Sequence, residues 1–172
     1  MKFYQLDNFF TEEENKTIDS ILYDAQFPVF YYKEQVIGDG LPFFSHVLIN
    51  KDTHEINSTY TNFFLMIAYK FVAKVSKIEP KKFLRGNINL TLPFEGRPKL
   101  HVDHEKPHYQ IIMYLNNASG TTDIYKGKKL FKKINPKKGR IIMFDKQNHL
   151  ANSPTGKDEL RAVCVMTFNT ND

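Results

Sequence analysis

The sequence predicts a mostly β fold with supporting α-helices, in which the strands form a barrel. Three apolar stretches with the composition of strands lie in the second half of the 172-residue chain, at 108–116, 140–145 and 161–168. Two stretches with helical periodicity lie in the first half, at 11–24 and 58–76. Both faces of the last apolar stretch are hydrophobic, as expected for a strand that helices cover. We therefore expect one barrel-like core with helices packed on its outside.

The first half of the chain is expected to form a support layer for this core. Its predicted elements are, in order, a strand at 2–10, a helix at 11–24, strands at 27–37 and 43–50, and a helix at 58–76. Thr11 and Glu14 have the spacing of a capping box, in which the two residues satisfy each other's backbone donors in the first helical turn. Apolar residues that include Phe64, Ile67 and Phe71 form a broad stripe on the second helix, which predicts packing against the sheet.

Residue types that bind metals form a pattern in the second half. In a strand, residues i and i+2 point to the same face, so a strand would direct His101 and Asp103 at one ion. His149, from a distant part of the chain, would complete the set. Two imidazoles and one carboxylate leave coordination positions open, as non-haem Fe(II) requires to bind an oxidisable cosubstrate and O2. A His-x-Asp pair alone is a weak signal, because most isolated histidines are surface or hydrogen-bonded residues.

The positions of these residues relative to the predicted strands strengthen the signal. The His-Val-Asp triplet precedes the first apolar strand, which ends at the turn sequence Asn-Asn-Ala-Ser-Gly. The second strand is expected to carry His149 at its far end, and Arg161 begins the third. Ligands at strand ends and a cation at a strand start are typical of a site in the mouth of a barrel.

With these residues, the chain resembles the 2-oxoglutarate and Fe(II)-dependent oxygenases, nearest to their prolyl 4-hydroxylase branch. The matching pieces follow family order over about the last half of the chain: His-Val-Asp at 101–103, Met-Tyr-Leu-Asn at 113–116, Gly-Thr-Thr at 120–122, Pro-Lys-Lys-Gly-Arg at 136–140, Phe144, His149 and Arg161. The resemblance implies a double-stranded β-helix core of the jelly-roll, cupin-like type. It also implies a dioxygenase that hydroxylates a C–H bond and forms succinate and CO2.

The resemblance also implies the role of each site residue. His101, Asp103 and His149 bind Fe(II), and Arg161 binds the distal carboxylate of 2-oxoglutarate, so these four form the catalytic set. Arginine suits this role because its guanidinium donates two parallel hydrogen bonds to a carboxylate. Tyr114 is a second candidate for cosubstrate binding. The alternatives are a surface cation for Arg161 and a half-buried barrel aromatic for Tyr114. O2 is the implied oxidant, and ascorbate is a candidate reductant.

Two departures from the family pattern lie near this site. Many relatives have a hydroxyl residue two positions after the basic one, where this chain has Val163, and Tyr114 is a candidate substitute. Prolyl hydroxylases often have a tyrosine on the strand before the His-x-Asp triplet, where this chain has polar residues at Asn87, Asn89 and Thr91. Two interpretations of that polar face stay open: contact with the cosubstrate through Asn89 or Thr91, or exposure to solvent.

Further polar residues lie close to the triplet. His104 and His108 are expected to be loop residues near the site entrance and not ligands, because Pro107 interrupts any helix that would align them. Alternation along the strand places Gln110 on the same face as Tyr114, as a candidate for the pocket lining.

Length and composition predict one compact enzyme domain over 1–172, with 1–80 as the support layer and about 84–170 as the catalytic core. The single cysteine, Cys164, fits a reducing compartment, so we expect a cytoplasmic protein. Cys164 lies on the strand face opposite Arg161, which predicts packing and not chemistry. The chain has neither a start like a signal peptide nor an apolar run of membrane-spanning length, and we expect no membrane association.

The net charge of +5 includes a cluster of seven lysines from Lys126 to Lys138. Such a cluster is able to bind nucleic acid through counterion release. A solvated hairpin is the favoured interpretation, because Leu130, Phe131 and Ile134 occupy strand-like positions between the charges.

By the resemblance, the expected substrate is a prolyl residue in a peptide or protein, ahead of another amino acid, a small molecule or nucleic acid. The nucleic-acid demethylase branch is disfavoured because its members have a second arginine shortly after the first, and this chain has Thr167 six positions after Arg161. A cupin-type metal enzyme is disfavoured because the chain has no His-x-His pair. The alternative outside enzymes is a catalytically silent β-barrel binding module. The oligomeric state does not follow from the sequence.

Overall fold

The structure, a computed structural model, describes residues 1–170, and within them it contains ten strands and two helices. In chain order they are β1 (Phe3–Leu6), α1 (Glu12–Leu22), β2 (Phe30–Tyr32), β3 (Phe43–Ile49), α2 (Thr61–Val75), β4 (Lys82–Thr91), β5 (Tyr109–Tyr114), β6 (Thr122–Lys126), β7 (Lys129–Ile134), β8 (Ile141–Asp145), β9 (Asn148–Ala151) and β10 (Arg161–Asn169). The predicted mostly β fold with supporting helices is confirmed.

The strands form two antiparallel sheets. The larger sheet has seven strands in the order β1-β8-β5-β10-β4-β3-β2, and the smaller has three in the order β7-β6-β9. The last strand, β10, lies in the middle of the larger sheet between β5 and β4. The first half of the chain does more than cover this sheet, because β1 extends one edge of it and β3 and β2 extend the other.

The two faces of the larger sheet pack against different layers. On one face, Cys164 of β10 lies in the main apolar core with Phe64 and Phe71 of α2, all fully buried. Burying such aromatic side chains contributes about 1.5–3 kcal/mol each. On the other face, Val163 lies in a second apolar cluster with Ile124 of the smaller sheet. The helix predicted to pack on the sheet therefore does so, and Cys164 is a packing residue whose thiol pKa is raised by burial.

The start of α1 is as predicted from the capping box. The Thr11 hydroxyl accepts a hydrogen bond from the Glu14 backbone N at 3.1 Å, and the Glu14 carboxylate accepts one from the Thr11 backbone N at 2.8 Å. Lys70 of α2 then pairs with the same carboxylate at 2.5 Å. Glu14 therefore stabilises the start of α1 and also links α1 to α2.

Two strands are shorter than predicted. β1 ends at Leu6, because Asn8 adopts a left-handed backbone conformation with a φ of 52° before α1 begins. β2 ends at Tyr32, and the remainder of the predicted strand is a loop. In that loop the carboxylate of Asp39 accepts hydrogen bonds from the backbone N–H groups of Gln35, Val36 and Leu41. These bonds fold the segment back on itself, away from strand pairing.

The lysine cluster lies on a β-hairpin, as favoured from the sequence. β6 and β7 pair antiparallel along the cluster, and Leu130 and Phe131 are each about half exposed, at 44% and 48%. The Phe131 ring contacts Phe3 edge to face, with ring centroids 5.9 Å apart. In the described part of the chain, neither helix has the length and hydrophobicity to cross a membrane.

Candidate metal and cosubstrate site

A short backbone bridge brings the two predicted histidine ligands together. His101 and His149 form an isolated antiparallel pair, with N···O distances of 3.0 and 2.9 Å in the two directions. The predicted strand through His101 and Asp103 is wrong: only His101 pairs, and the prolines at 98 and 107 limit pairing because they lack an N–H. The position of His149 also differs from the prediction, because it lies in β9 of the smaller sheet and not at the far end of β8.

Both imidazoles are oriented by the backbone. His101 Nδ1 lies 3.1 Å from the carbonyl oxygen of Lys99, and His149 Nδ1 lies 3.2 Å from that of Gln147. A carbonyl only accepts, so both Nδ1 atoms donate, which leaves the Nε2 lone pairs for another partner. Burial lowers the pKa of His149 to about 4, so this imidazole is neutral at pH 7, as a metal ligand must be.

Asp103 supplies the third ligand from a buried position. One ligand atom from each of His101, Asp103 and His149 lies within 4.8 Å of the other two. Oδ1 of Asp103 accepts a hydrogen bond from Arg85 at 3.2 Å, whereas Oδ2 is buried without a partner among the described residues. Burial raises the pKa of Asp103, but Arg85 and the two imidazoles lower it by more, to about 2.

The donor set fits a transition metal with open coordination positions. Two neutral imidazole nitrogens and one carboxylate are the ligands of the facial triad that non-haem Fe(II) oxygenases use. The buried Oδ2 atom of Asp103 supports this fit, because a carboxylate oxygen without a hydrogen bond is costly unless a cation binds it. These three residues are therefore suited to hold Fe(II).

Arg161 lines the same cavity as the triad. The cavity has a volume of about 370 Å³ and lies between the larger and smaller sheets. Arg161 is 3% exposed, donates from Nη2 to Thr122 Oγ1 at 2.8 Å, and has a buried Nε without a hydrogen bond among residues 1–170. Burial lowers the pKa of its guanidinium. The alternative of a surface cation for Arg161 is therefore wrong.

Tyr114 lies beside Arg161 and is fully buried, so it is not a half-buried aromatic. Its hydroxyl donates to Thr122 Oγ1 at 2.8 Å, and the Arg161 guanidinium carbon lies 5.9 Å from the centre of its ring. Burial raises the pKa of the Tyr114 phenol. Thr122 thus accepts hydrogen bonds from both residues that the sequence suggested for cosubstrate binding.

The comparisons with known proteins show the fold. No family model matches the sequence, and neither does any curated protein. An oxidoreductase of the 2OG-Fe(II) oxygenase family from Burkholderia pseudomallei has a TM-score of 0.76 at 14% identity, over 99% of this chain and 86% of its own. The chain has the fold of the 2OG-Fe(II) oxygenases. The predicted jelly-roll core is confirmed, and the resemblance to these oxygenases is confirmed at the level of the fold.

Two further proteins with this fold were solved with ligands. A prolyl hydroxylase from Trichoplax adhaerens, in complex with a peptide fragment of the oxygen degradation domain of hypoxia inducible factor, has a TM-score of 0.68 at 13% identity, over 98% of this chain and 83% of its own. HygX from Streptomyces hygroscopicus, with nickel and 2-oxoglutarate bound, has a TM-score of 0.65 at 10% identity, over 98% and 83%.

The polar face of β4 forms part of the wall of the cavity that holds the triad and Arg161. Asn89 and Thr91 both line it, so the alternative of a solvent-exposed face is wrong. Gln110 also lines the cavity, as its alternation suggested, and its Nε2 lies 3.2 Å from His149 Nε2. Because His149 Nδ1 is the donor of that ring, the Gln110 amide donates to the nitrogen that would ligate a metal.

Two residues of the site were not found from the sequence. Thr122 belongs to the Gly-Thr-Thr motif at 120–122, and this motif was the feature of the sequence that could have indicated it. Arg85 had no signal, because only the fold brings this arginine of β4 next to Asp103.

His104 and His108 are loop residues, as predicted, and they are not among the residues that line the cavity of the triad. Their ring centroids lie 5.0 Å apart, and His104 Nε2 lies 2.7 Å from Thr167 Oγ1. Both line a separate surface cavity. That they lie near the site entrance stays a prediction.

Proposed function

We propose that this chain is a 2-oxoglutarate and Fe(II)-dependent dioxygenase that hydroxylates a substrate C–H bond and forms succinate and CO2. One observation carries the proposal: a single cavity combines the triad of His101, Asp103 and His149 with the buried cation Arg161. Arg161 has no carboxylate partner among the described residues. A cosubstrate with a chelating 2-oxo acid group and a distal carboxylate satisfies both parts of this cavity.

Each side chain has a proposed task. His101, His149 and Asp103 hold the iron, the histidines through Nε2. Arg161 pairs with the distal carboxylate of 2-oxoglutarate, and Tyr114 lies beside it. When bound, iron and the 2-oxo acid supply the O2-dependent chemistry that releases succinate and CO2 and inserts one oxygen atom into the substrate.

Thr122 is proposed as a third cosubstrate contact. Its hydroxyl already accepts hydrogen bonds from Tyr114 and Arg161, and no acceptor for its own hydrogen occurs among residues 1–170. That hydrogen is therefore available to a carboxylate oxygen. Thr122 would supply the hydroxyl group that Val163 lacks at the position where many relatives carry one.

A prolyl residue in a peptide or protein is the proposed substrate. The support is similarity of fold to a prolyl hydroxylase solved with a peptide fragment, together with the cavity rim. Gln35, Val36 and Ile37 of the loop after β2 line this rim, and Ile37 is 88% exposed. The side chain of Ile37 is proposed as a contact for a substrate that stays outside the cavity except for the reacting residue.

The silent binding module is disfavoured by the same site. A module without catalysis has no need of a complete set of His101, Asp103 and His149 that shares its cavity with the buried cation Arg161. We further propose that residues 1–172 act as a single catalytic domain.

The test is an anaerobic titration of metal-free protein with Fe(II) and then 2-oxoglutarate, followed through the visible charge-transfer band of a 2-oxo acid chelated to iron. We expect a band that requires both additions in the wild type and is absent in Asp103→Ala. Iron binding without the band would favour a different metal enzyme. Absence of both iron and 2-oxoglutarate binding would favour the binding module.

The substrate is tested separately with proline-containing peptides, O2 and ascorbate as the proposed reductant. Mass spectrometry should show a gain of about 16 Da, the mass of one oxygen atom. If the charge-transfer band forms but no proline peptide gains this mass, the dioxygenase proposal stands and the prolyl substrate is wrong. Amino acids, small molecules and nucleic acids are then the next substrates to test.

A further inference from the structure

Side-chain hydrogen bonds cross β3 and β4 and end at Asp103. Ser45 Oγ donates to Asn89 Oδ1 at 2.8 Å and accepts from Asn87 Nδ2 at 3.0 Å. Asn87 Oδ1 accepts from Arg85 Nε at 2.8 Å, and Arg85 Nη1 donates to Asp103 Oδ1 at 3.2 Å. The network therefore connects the wall of the cavity to one candidate metal ligand through strands of the rigid sheet.

The two carboxylate oxygens of Asp103 have different surroundings because of this network. Arg85 occupies Oδ1, whereas Oδ2 is buried without a hydrogen bond among the described residues. An unpaired buried acceptor costs about 1–3 kcal/mol, and more when it is charged. A metal ion bound at the carboxylate would remove this cost. Oδ1 also lies 3.7 Å from His101 Nε2, so the oxygen that Arg85 holds is next to another candidate metal ligand.

A guanidinium next to a metal ligand has one of two roles, and they have opposite consequences. As a counter-ion of the empty site, Arg85 competes with the metal, because two cations repel, and its removal would raise metal affinity. As a positioning residue, Arg85 fixes the orientation of the ligand, and its removal would lower metal affinity. In this second case, substituting a residue that hydrogen-bonds to a metal ligand typically lowers metal affinity by about 10–100-fold.

The contacts of Arg85 favour positioning. The guanidinium uses two different nitrogens, Nε on Asn87 and Nη1 on Asp103, so it is unable to rotate away from Asp103 while keeping its contact with Asn87. Asn87 is itself 8% exposed and held by Ser45, which is 1% exposed. The side chain of Arg85 is 20% exposed, so water screens these contacts little. A simple counter-ion would need no such anchor.

We propose that Arg85 is a positioning residue of the metal site: anchored by Asn87 and Ser45, it holds Oδ1 of Asp103 and so fixes the orientation of this carboxylate towards the metal. The inference rests on the proposed iron site. It assigns a function to the polar residues of β4 at the position where the prolyl hydroxylase pattern has a tyrosine.

The test is anaerobic isothermal titration calorimetry of the full metal-free chain with Fe(II) alone. We expect Arg85→Gln to lower the affinity by about 10–100-fold. Arg85→Lys should also lower it, because one ammonium group does not reproduce the guanidinium's simultaneous hydrogen bonds to Asn87 and Asp103. Asn87→Ala, which keeps Arg85 but removes its anchor, should lower the affinity by a smaller factor.

Arg97→Gln is the matched control. Arg97 is an exposed arginine that is not among the residues lining this cavity, and it makes no ion pair or hydrogen bond to Asp103 in the described chain. Its substitution is the same change as Arg85→Gln without loss of a contact to the ligand, so Fe(II) affinity should stay within about twofold, because water and salt screen an exposed charge. Thermal unfolding identifies any variant that fails to fold, and Asn87→Ala decides the question if Arg85→Gln is one of them.

The outcomes separate this inference from the proposed function. If wild type binds Fe(II) and Arg85→Gln binds it equally or more tightly, Arg85 is a counter-ion and the inference fails while the iron site stands. Wild-type affinity in Arg85→Lys or in Asn87→Ala would overturn the anchoring. If the wild type does not bind Fe(II), or Asp103→Ala binds it as well as the wild type, the iron site fails and the positioning role fails with it.

Discussion

The two faces of β10 are buried to the same degree but differ in what they contact. The face towards the helices is apolar throughout, and its members include Cys164 and Phe168, both with no exposed surface. The face towards the cavity begins with Arg161, at 3% exposure, and ends with Thr167, at 0%. Burial alone therefore does not distinguish the part of the strand that stabilises the fold from the part that forms the site.

The difference lies in the polar atoms that remain without a partner. Asp103 Oδ2, Gln110 Oε1 and Arg161 Nε are buried, have no hydrogen bond among residues 1–170, and line one cavity. Such atoms are stable only if something else binds them. We infer that substitutions of apolar residues on the helix face lower stability, whereas substitutions of these unpartnered polar residues of the cavity lower binding at little cost in stability.

The largest expected effect is on the helix face. Phe71→Ala removes a fully buried ring between α2 and the larger sheet and should lower the free energy of unfolding by about 3–5 kcal/mol. Urea unfolding measures this loss. Met66→Ala is the control on the same helix, because Met66 is 52% exposed and should cost less than about 0.5 kcal/mol.

The Phe71→Ala variant also tests whether the two faces act independently. At temperatures where it stays folded, its Fe(II) affinity should equal that of the wild type. A loss of stability below about 1 kcal/mol would contradict the packing role of α2. A large loss of Fe(II) affinity in the folded variant would show that the two faces are coupled.

The second expected effect is on the cavity face. Arg161→Met keeps most of the side-chain length but removes the cation, and it should weaken 2-oxoglutarate binding by about 3 kcal/mol, or roughly 100-fold. Stability should not fall, because the substitution removes a buried charge that has no acidic partner in the described chain. Calorimetric titration with 2-oxoglutarate and urea unfolding measure the two quantities.

Arg140→Met is the matched control for that experiment. Arg140 is also an arginine of the second half of the chain, but it has a carboxylate partner, because its Nε and Nη2 both lie 2.7 Å from oxygens of Asp7. We expect this variant to lose a little stability and no 2-oxoglutarate affinity. Equal losses of 2-oxoglutarate affinity in the two variants would mean that Arg161 acts through general charge and not through direct contact.

The same distinction explains how much the sequence alone could predict. Periodicity and capping identified both helices and most strands, because these signals are local, as Thr11 and Glu14 illustrate. The set of His101, Asp103, His149 and Arg161 was found through spacing and family resemblance. The structure brings all four to one cavity.

What the sequence did not reveal depends on contacts between distant segments. The bridge between His101 and His149 joins two irregular stretches from different parts of the chain, so strand patterns did not predict it. Arg85 of β4 and Asp103, in the segment between β4 and β5, come into contact only in the folded chain. The loop after β2 was predicted as a strand because the three backbone contacts of Asp39 are not visible in an apolar pattern.

The smallest expected effect concerns Asp7, which joins the segment after β1 to Arg140. The hydrogen bonds from Arg140 lower the pKa of Asp7 from 3.8 to about 2. Because the folded-state pKa lies below the unfolded one, the contribution to stability is complete above about pH 4 and is lost as the pH falls towards 2. The side chain is 34% exposed, so solvent screening keeps this contribution below about 1 kcal/mol.

Asp7→Asn should therefore be slightly less stable than wild type at pH 7, with a smaller difference at pH 3. Urea unfolding at both pH values measures the two differences. A difference that is unchanged or larger at pH 3 would show that the Asp7 carboxylate is not stabilised by Arg140, and the contrast between a paired arginine and the unpaired Arg161 would lose its reference.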